Sequence, residues 1–270
     1  MTLIDIGANL THDSFDADRD EVIHRAQEAG IVQFIVTGGD VEHSRKALEL
    51  CRIWSGVLYC TAGTHPHQAK GFDATAPVAL QRLLAEPEVV AVGECGLDYF
   101  RNFSPQDQQR RAFETQLELA EETGKPVFLH QRDAHGDFIS ILRHWRPRLS
   151  GAVVHCFTDG EQELRDYLTL DCHIGITGWI CDERRGSHLR ELVRQIPADQ
   201  LMLETDAPYL LPRDLNPKPR THRNEPVYLA HICEVTAACV GKSTEQLAAE
   251  TAANTQRFFK LPTNGTNQLK

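Results

Sequence analysis

The chain contains no Cys-x-x-Cys pair, no apolar run approaching the ~20 residues of a membrane span, and no excess of positive charge. The first absence argues against a zinc knuckle or a thioredoxin-type redox motif. Its eight cysteines are spread over 270 residues, several inside apolar runs, and read as buried thiols of a reducing cytosol rather than a disulfide framework. The second absence, with an N-terminus that has no basic region and meets Asp5 at once, predicts a cytoplasmic protein. The third is a balance of 28 basic against 38 acidic side chains, net -10, which removes the bulk attraction that draws proteins onto nucleic acid or anionic membranes. A nucleic-acid partner would have to be engaged locally.

No Pro/Gly/Ser-rich linker divides the chain, so residues 1–262 are expected to form one domain, with a frayed polar tail over 263–270. Hydrophobic residues at 41% and charged residues at 24% fit an ordinary globular core and exclude intrinsic disorder. Short β-rich runs recur at 3–6, 33–36, 58–61, 89–92, 127–129, 152–154, 172–176 and 201–203. Helical periodicity follows each one, over 18–29, 43–54, 77–85, 104–123, 135–145, 161–170, 188–195 and 226–239. Ser104 is a candidate cap for the longest of these, and a further helix over 242–259 has Ser243 as its candidate cap. Strict alternation at this length predicts a (β/α)8 TIM barrel. The rival doubly wound sheet lacks its glycine-rich nucleotide fingerprint, for which Gly38-Gly39 is too little.

Barrel chemistry sits where strands end and βα loops begin. There the sequence places Glu94 after Val89-Val90-Ala91-Val92-Gly93, His130 after Val127-Phe128-Leu129, His155 after Ala152-Val153-Val154, and Glu204 and Asp206 after Leu201-Met202-Leu203. Any one of these, taken alone, is an ordinary hydrogen-bonded strand end. Together, Glu94, His130, His155 and Asp206 form the mixed nitrogen and oxygen set that suits a divalent ion and activates water. The same rim receives Gly63-Thr64-His65-Pro66-His67, Arg132, and Arg184-Arg185. It also receives a proline-stiffened loop with four Arg/Lys and one His in the eleven residues from Arg213 to Arg223. Fixed cations beside a metal suit an anionic substrate such as a phosphodiester.

These motifs resemble those of the TatD family of metal-dependent deoxyribonucleases, from Asp5 to about Phe259. The resemblance is carried by Gly93-Glu94-Cys95-Gly96-Leu97-Asp98, Pro126-Val127-Phe128-Leu129-His130-Gln131-Arg132, and Ile196-Pro197-Ala198-Asp199-Gln200-Leu201-Met202-Leu203-Glu204-Thr205-Asp206-Ala207-Pro208. The loop Cys181-Asp182-Glu183-Arg184-Arg185-Gly186 and Arg223-Asn224-Glu225-Pro226 resemble the bacterial branch. The resemblance implies a TIM barrel of the amidohydrolase type that hydrolyses DNA phosphodiesters as a 3′-to-5′ exonuclease on single-stranded or frayed ends, in DNA repair or degradation. It implies Glu94, His130 and His155 as metal ligands, Asp206 as ligand or general base, and His65 near the substrate phosphate. Arg132, Arg185 and Arg223 would hold phosphate oxygens. The ion implied is Mg2+, with Mn2+ or Zn2+ as substitutes.

One stretch departs from the pattern. The family commonly carries Asp-x-His-x-His at the end of the first strand, where this chain has Asp5-Ile6-Gly7-Ala8-Asn9. Asn9 offers a carbonyl oxygen and Gly7 offers nothing, so one firmly held ion is expected, with any second one weak or brought by substrate. The same centre would also suit another ester, such as a D-aminoacyl-tRNA, and a barrel that had lost part of its metal site would serve as a non-catalytic scaffold.

Overall fold

The computed structural model describes residues 1–263. The expected polar tail therefore lies, apart from Thr263, outside the described residues. Eight parallel strands run in sequence order around the sheet: β1 (Leu3–Ala8), β2 (Ile31–Val36), β3 (Leu58–Ala62), β4 (Val89–Asp98), β5 (Val127–Arg132), β6 (Ala152–Val154), β7 (His173–Ile176) and β8 (Leu201–Leu203). An isolated parallel bridge from Ala8 to Ala207 brings the chain just after β8 beside β1 and nearly closes the ring. The fold is the TIM barrel that the strand-helix alternation predicts.

Helices α1 (Arg19–Glu28), α2 (Val41–Ile53), α3 (Ala76–Leu84), α4 (Gln106–Thr123), α5 (His135–Trp145), α6 (Glu161–Thr169), α7 (Ser187–Leu192) and α8 (Leu229–Val240) follow the strands in turn. Their ends are set by local chemistry: Asp40 accepts from the His43 amide at 2.7 Å to open α2, and α4 stops at Gly124 in the left-handed conformation. Ser104 is not the cap of α4. Its hydroxyl is buried, donates to the His67 carbonyl and accepts from the Lys70 amide, so it ties the β4–α4 loop to the turn after β3. Helix α9 (Thr244–Phe259) does begin on Ser243, in a reciprocal box with Gln246.

Two apolar layers result. The outer one packs the helices on the barrel wall. The inner one fills the barrel with Ile4, Ile6, Ile35, Phe128, Val153 and Met202, together with Phe259 and Leu261 from the α9 end of the chain. Period-two alternation along a strand then dictates what comes next. Two residues beyond Phe128 is His130, two beyond Val153 is His155, and two beyond Met202 is Glu204. The inward positions of the inner apolar layer thus lead on to His130, His155 and Glu204 at the mouth of the barrel.

Candidate metal centre

Glu94 and His130 lie inside strands that continue past them, rather than after the strand ends. In β4, Gly93 pairs with Phe128 and Cys95 with Leu129, so Glu94 is the extra residue of a bulge. A bulge re-aims the side chain of its inserted residue. Here the Glu94 amide bonds outward to the Gly38 carbonyl at 2.8 Å while the carboxylate enters the mouth. Pairing with β5 resumes at Cys95, and the next residue, Gly96, stands opposite His130, where a Cβ would lie 1.8 Å from the His130 carbonyl oxygen and φ is +146°. Only glycine allows that approach.

One carboxylate oxygen organises the centre. Glu94 Oε1 lies 2.8 Å from His155 Nε2, 3.0 Å from His130 Nδ1 and 3.3 Å from His65 Nε2. Burial opposes the charge on Glu94, but the imidazoles outweigh it and hold the carboxyl well below its usual range. His155 experiences the converse: burial opposes its protonation, and the carboxylates of Glu94 and Glu204 overcome that and hold the ring protonated well above the ordinary range. His130 shifts in the same direction against its burial, through Asp98 and Glu94. Its Nε2 lies 3.4 Å from Asp98 Oδ2 without hydrogen-bond geometry, a buried nitrogen left without a partner.

His65 differs. Its Nδ1 accepts the backbone N–H of His67 at 3.1 Å, so a neutral ring carries its proton on Nε2, the nitrogen facing Glu94. Burial pushes its pKa down to about 4, and the ring is neutral at physiological pH. His67 reaches Asp98 at 2.7 Å instead of the centre. Asp206 stands on the opposite wall, where Asn9 donates to its Oδ1 at 3.1 Å. Burial, reinforced by Glu94 and Glu204 and opposed by His155, pushes the Asp206 carboxyl up to about 7.

The residue that sequence reasoning passed over is Glu204. It is fully buried, accepts the Cys156 amide through Oε1, and lies 3.3 Å from His155 Nδ1 through Oε2. A Cβ on Gly7 would come within 2.4 Å of Oε2, and one on Gly175 within 2.4 Å of Oε1. Gly7, near the end of β1, therefore makes room for the carboxylate of Glu204, just after β8. The signal was present as Gly7 facing a second acid two residues before Asp206.

A divalent ion fits this donor set. Three imidazoles converge on one carboxylate oxygen, His130 Nε2 has no partner, and excess protons on two rings balance acids packed within a few ångströms. His65, Glu94 and His130 offer ligand atoms within 4.8 Å of one another, and His155 approaches the same oxygen most closely. A second group of metal-ligating types, Cys181, Asp214 and His231, lies elsewhere; there Asp214 is already bonded to His231 at 2.7 Å and faces Arg190 at 3.7 Å.

The centre opens into a cleft of about 1240 Å3. Asn9, His65, Arg132, Arg185 and Asp206 all line it. Arg223 does not join them. Its guanidinium is bound to Asp18 at 2.7 and 2.8 Å and to Glu225 at 2.8 Å, and it lies over the Phe15 ring. Arg213 is likewise engaged, 3.2 Å from Asp182. Cations that reach the cleft from positions not singled out in the sequence are Arg19 and Lys46, at the start of α1 and on α2.

Comparison with known proteins agrees with this architecture. The family model described as TatD related DNase matches residues 4–260. A curated relative from Erwinia billingiae, named 3′-5′ ssDNA/RNA exonuclease TatD, is 51% identical over 96% of this chain and all of its own. One of the same name from Shigella flexneri is 49% identical over 96% of this chain and 99% of its own. Among solved structures, the TatD homolog YJJV of Escherichia coli superposes with a TM-score of 0.87 at 29% identity, covering 96% of this chain and 98% of that one. With its barrel, its bulged glutamate and its histidine-carboxylate mouth in place, the chain belongs to the TatD family.

Proposed function

We propose that this protein is a metal-dependent 3′-5′ exonuclease of single-stranded DNA or RNA, and that Glu94, His130 and His155 hold its divalent ion. The observation that carries the reading is the single oxygen of Glu94 ringed by three imidazoles at the C-terminal mouth of the barrel. Such an ion, when bound, polarises phosphoryl oxygens and acidifies water. Asp206 is the proton acceptor: a carboxyl near 7 takes a proton from attacking water at neutral pH, and the hydrogen bond from Asn9 to Oδ1 holds the group in place. The water oxygen bonds to phosphorus, the P–O bond opposite it breaks, and the leaving sugar oxygen takes up a proton from solvent, which releases the terminal nucleotide. His65, neutral and with its Nε2 N–H on Glu94, lines the cleft where the substrate phosphate sits without adding charge to it. Arg132 and Arg185 steady the flanking phosphates from the cleft walls.

The carboxylates of Glu94, Glu204 and Asp206 around the centre support Mg2+, with Mn2+ or Zn2+, which the imidazoles suit, able to substitute. Engagement of a strand end in a local cleft, within an acidic protein, suits a role in DNA repair or degradation in the cytoplasm. Among the described residues no helix is long and apolar enough to cross a membrane. The test is release of nucleotides from 3′-ended single strands with Mg2+. Glu94→Gln and Asp206→Asn should each lose it by about 100-fold or more while keeping the fold, because each removes a group acting on the reacting atoms. Activity retained in either variant would remove the assignment.

A further inference from the structure

Among the described residues, six large hydrophobic side chains are strongly exposed, and three of them are aromatic: Phe100, Phe103 and Tyr209, at 53%, 57% and 51%. All three lie at the C-terminal end of the barrel. Phe100 and Phe103 occupy the loop after β4, and Tyr209 the loop after β8, so in a ring of eight strands they stand on opposite sides of the mouth. Half-buried Trp179, in the loop after β7, lines the cleft together with Tyr209.

Each side also carries an arginine on an aromatic face. The Arg132 guanidinium lies 4.1 Å from the Phe100 ring centroid, and that of Arg185 lies 4.9 Å from Trp179. Phe103 in turn meets His67 edge-on at 4.8 Å. Planar cations on planar rings form ledges that offer a π surface and a positive charge at one place. Exposed rings add nothing to the core, and a net charge of -10 leaves few cations to hold a strand by its phosphates. Stacking of unpaired bases on aromatic side chains supplies what is missing, tolerates any sequence, and is indifferent to the sugar.

We propose that the Phe100–Phe103 ledge and the Trp179–Tyr209 ledge are two nucleobase-stacking subsites. They receive the bases on either side of the phosphate held at the histidine-carboxylate centre. A duplex end enters only after its bases splay apart, so the ledges select single strands. The inference rests on the nuclease reading of the same centre.

The test is a comparison of base removal with ring removal. Affinities are measured by fluorescence anisotropy for short single-stranded oligonucleotides with non-hydrolysable linkages, intact or abasic at one of the two 3′-terminal positions. The proteins are the wild type, Phe100→Ala, Phe103→Ala, Trp179→Ala and Tyr209→Ala. Ring removal should weaken binding of the intact strand by about 10-fold and leave binding of the strand abasic at the matching position within about twofold. With cleavable strands, KM should rise and kcat persist. Equal losses on intact and abasic strands, or no loss on either, would overturn the ledges. Wild-type cleavage of the unmodified strand is read in parallel. Binding that follows this pattern without cleavage would sink the nuclease reading and keep the ledges; cleavage with indifferent ring variants would do the reverse.

Discussion

The carboxylate of Glu204 fills the space that a side chain on Gly7 would need, with its Oε2 placed 2.4 Å from where a Cβ would stand. Glu204 also faces His155 Nδ1 at 3.3 Å, so the absent side chain at the end of β1 and the orientation of the imidazole just after β6 are one arrangement. A carboxylate that fixes a ligating imidazole from behind sets its direction and basicity. Gly7→Ala should displace Glu204 and lower Mn2+ affinity and activity by about 10- to 100-fold, the usual effect of losing such a partner. Glu204→Ala should do the same, and the double variant should be no worse than either. Calorimetry on the three variants checks this, and simple addition of the two losses would refute the coupling.

Capture of a divalent ion should release a proton. His155 is held protonated between Glu94 and Glu204, yet an imidazole must be neutral to act as a ligand. Because its folded pKa is raised, the competing proton is present below that value and lost above it. Metal affinity should therefore rise with pH, by about tenfold per pH unit for a single displaced proton. Titrations in buffers of different protonation enthalpy count the protons directly, and an affinity that is flat across pH with no proton released would contradict the scheme. Glu204→Gln should reduce the count.

The inward-facing half of the site was legible because period two is a rigid rule. Once Phe128 and Val153 point into the barrel, His130 and His155 must follow them; the same rule turns Glu204 inward after Met202, but does not say which of Glu204 and Asp206 does what. What the sequence hid was of two kinds. The bulge that turns Glu94 inward is a mismatch between two strands, and a single strand carries no trace of its partner's register. Adding Glu204 to Asp206 as a residue of the site required knowing that Gly7 and Gly175 leave a void on both sides of its carboxylate. The basic loop misled for a third reason: positive charge in a sequence does not reveal which acids lie nearby.

Arg223 is the case in point. Its bonds to Asp18 and Glu225, and its place over Phe15, bind the end of the post-β8 loop to the start of α1. Arg223, with Arg25, holds the Asp18 carboxyl below its usual range, so this contribution is present above the ordinary aspartate pKa and fades as the pH falls through it. Arg223→Ala should lower stability by up to about 1 kcal/mol, less in high salt, and leave KM for single strands within about twofold. Arg132→Ala should leave stability intact and raise KM. Thermal melts beside steady-state kinetics separate the two, and a raised KM in the Arg223 variant would return that side chain to the substrate.

Asp159 gives the protein a pH dependence of opposite sign. Burial, with the charge of Glu163 adding to it, pushes its carboxyl up to about 6, despite bonds from Gln131 at 2.7 Å and Tyr167 at 3.5 Å. An unfolded aspartate titrates near 3.9, so as the pH rises from about 4 to about 6 the unfolded chain gives up a proton that the folded one keeps. Stability falls across that window and the loss is constant above it, at roughly 3 kcal/mol as an upper bound. Asp159→Asn keeps an acceptor for Gln131 and removes the ionisation. The variant should match the wild type near pH 4 and exceed it at pH 8, which denaturant unfolding at both values would measure. Parallel curves for the two proteins would mean that Asp159 ionises as freely in the fold as outside it.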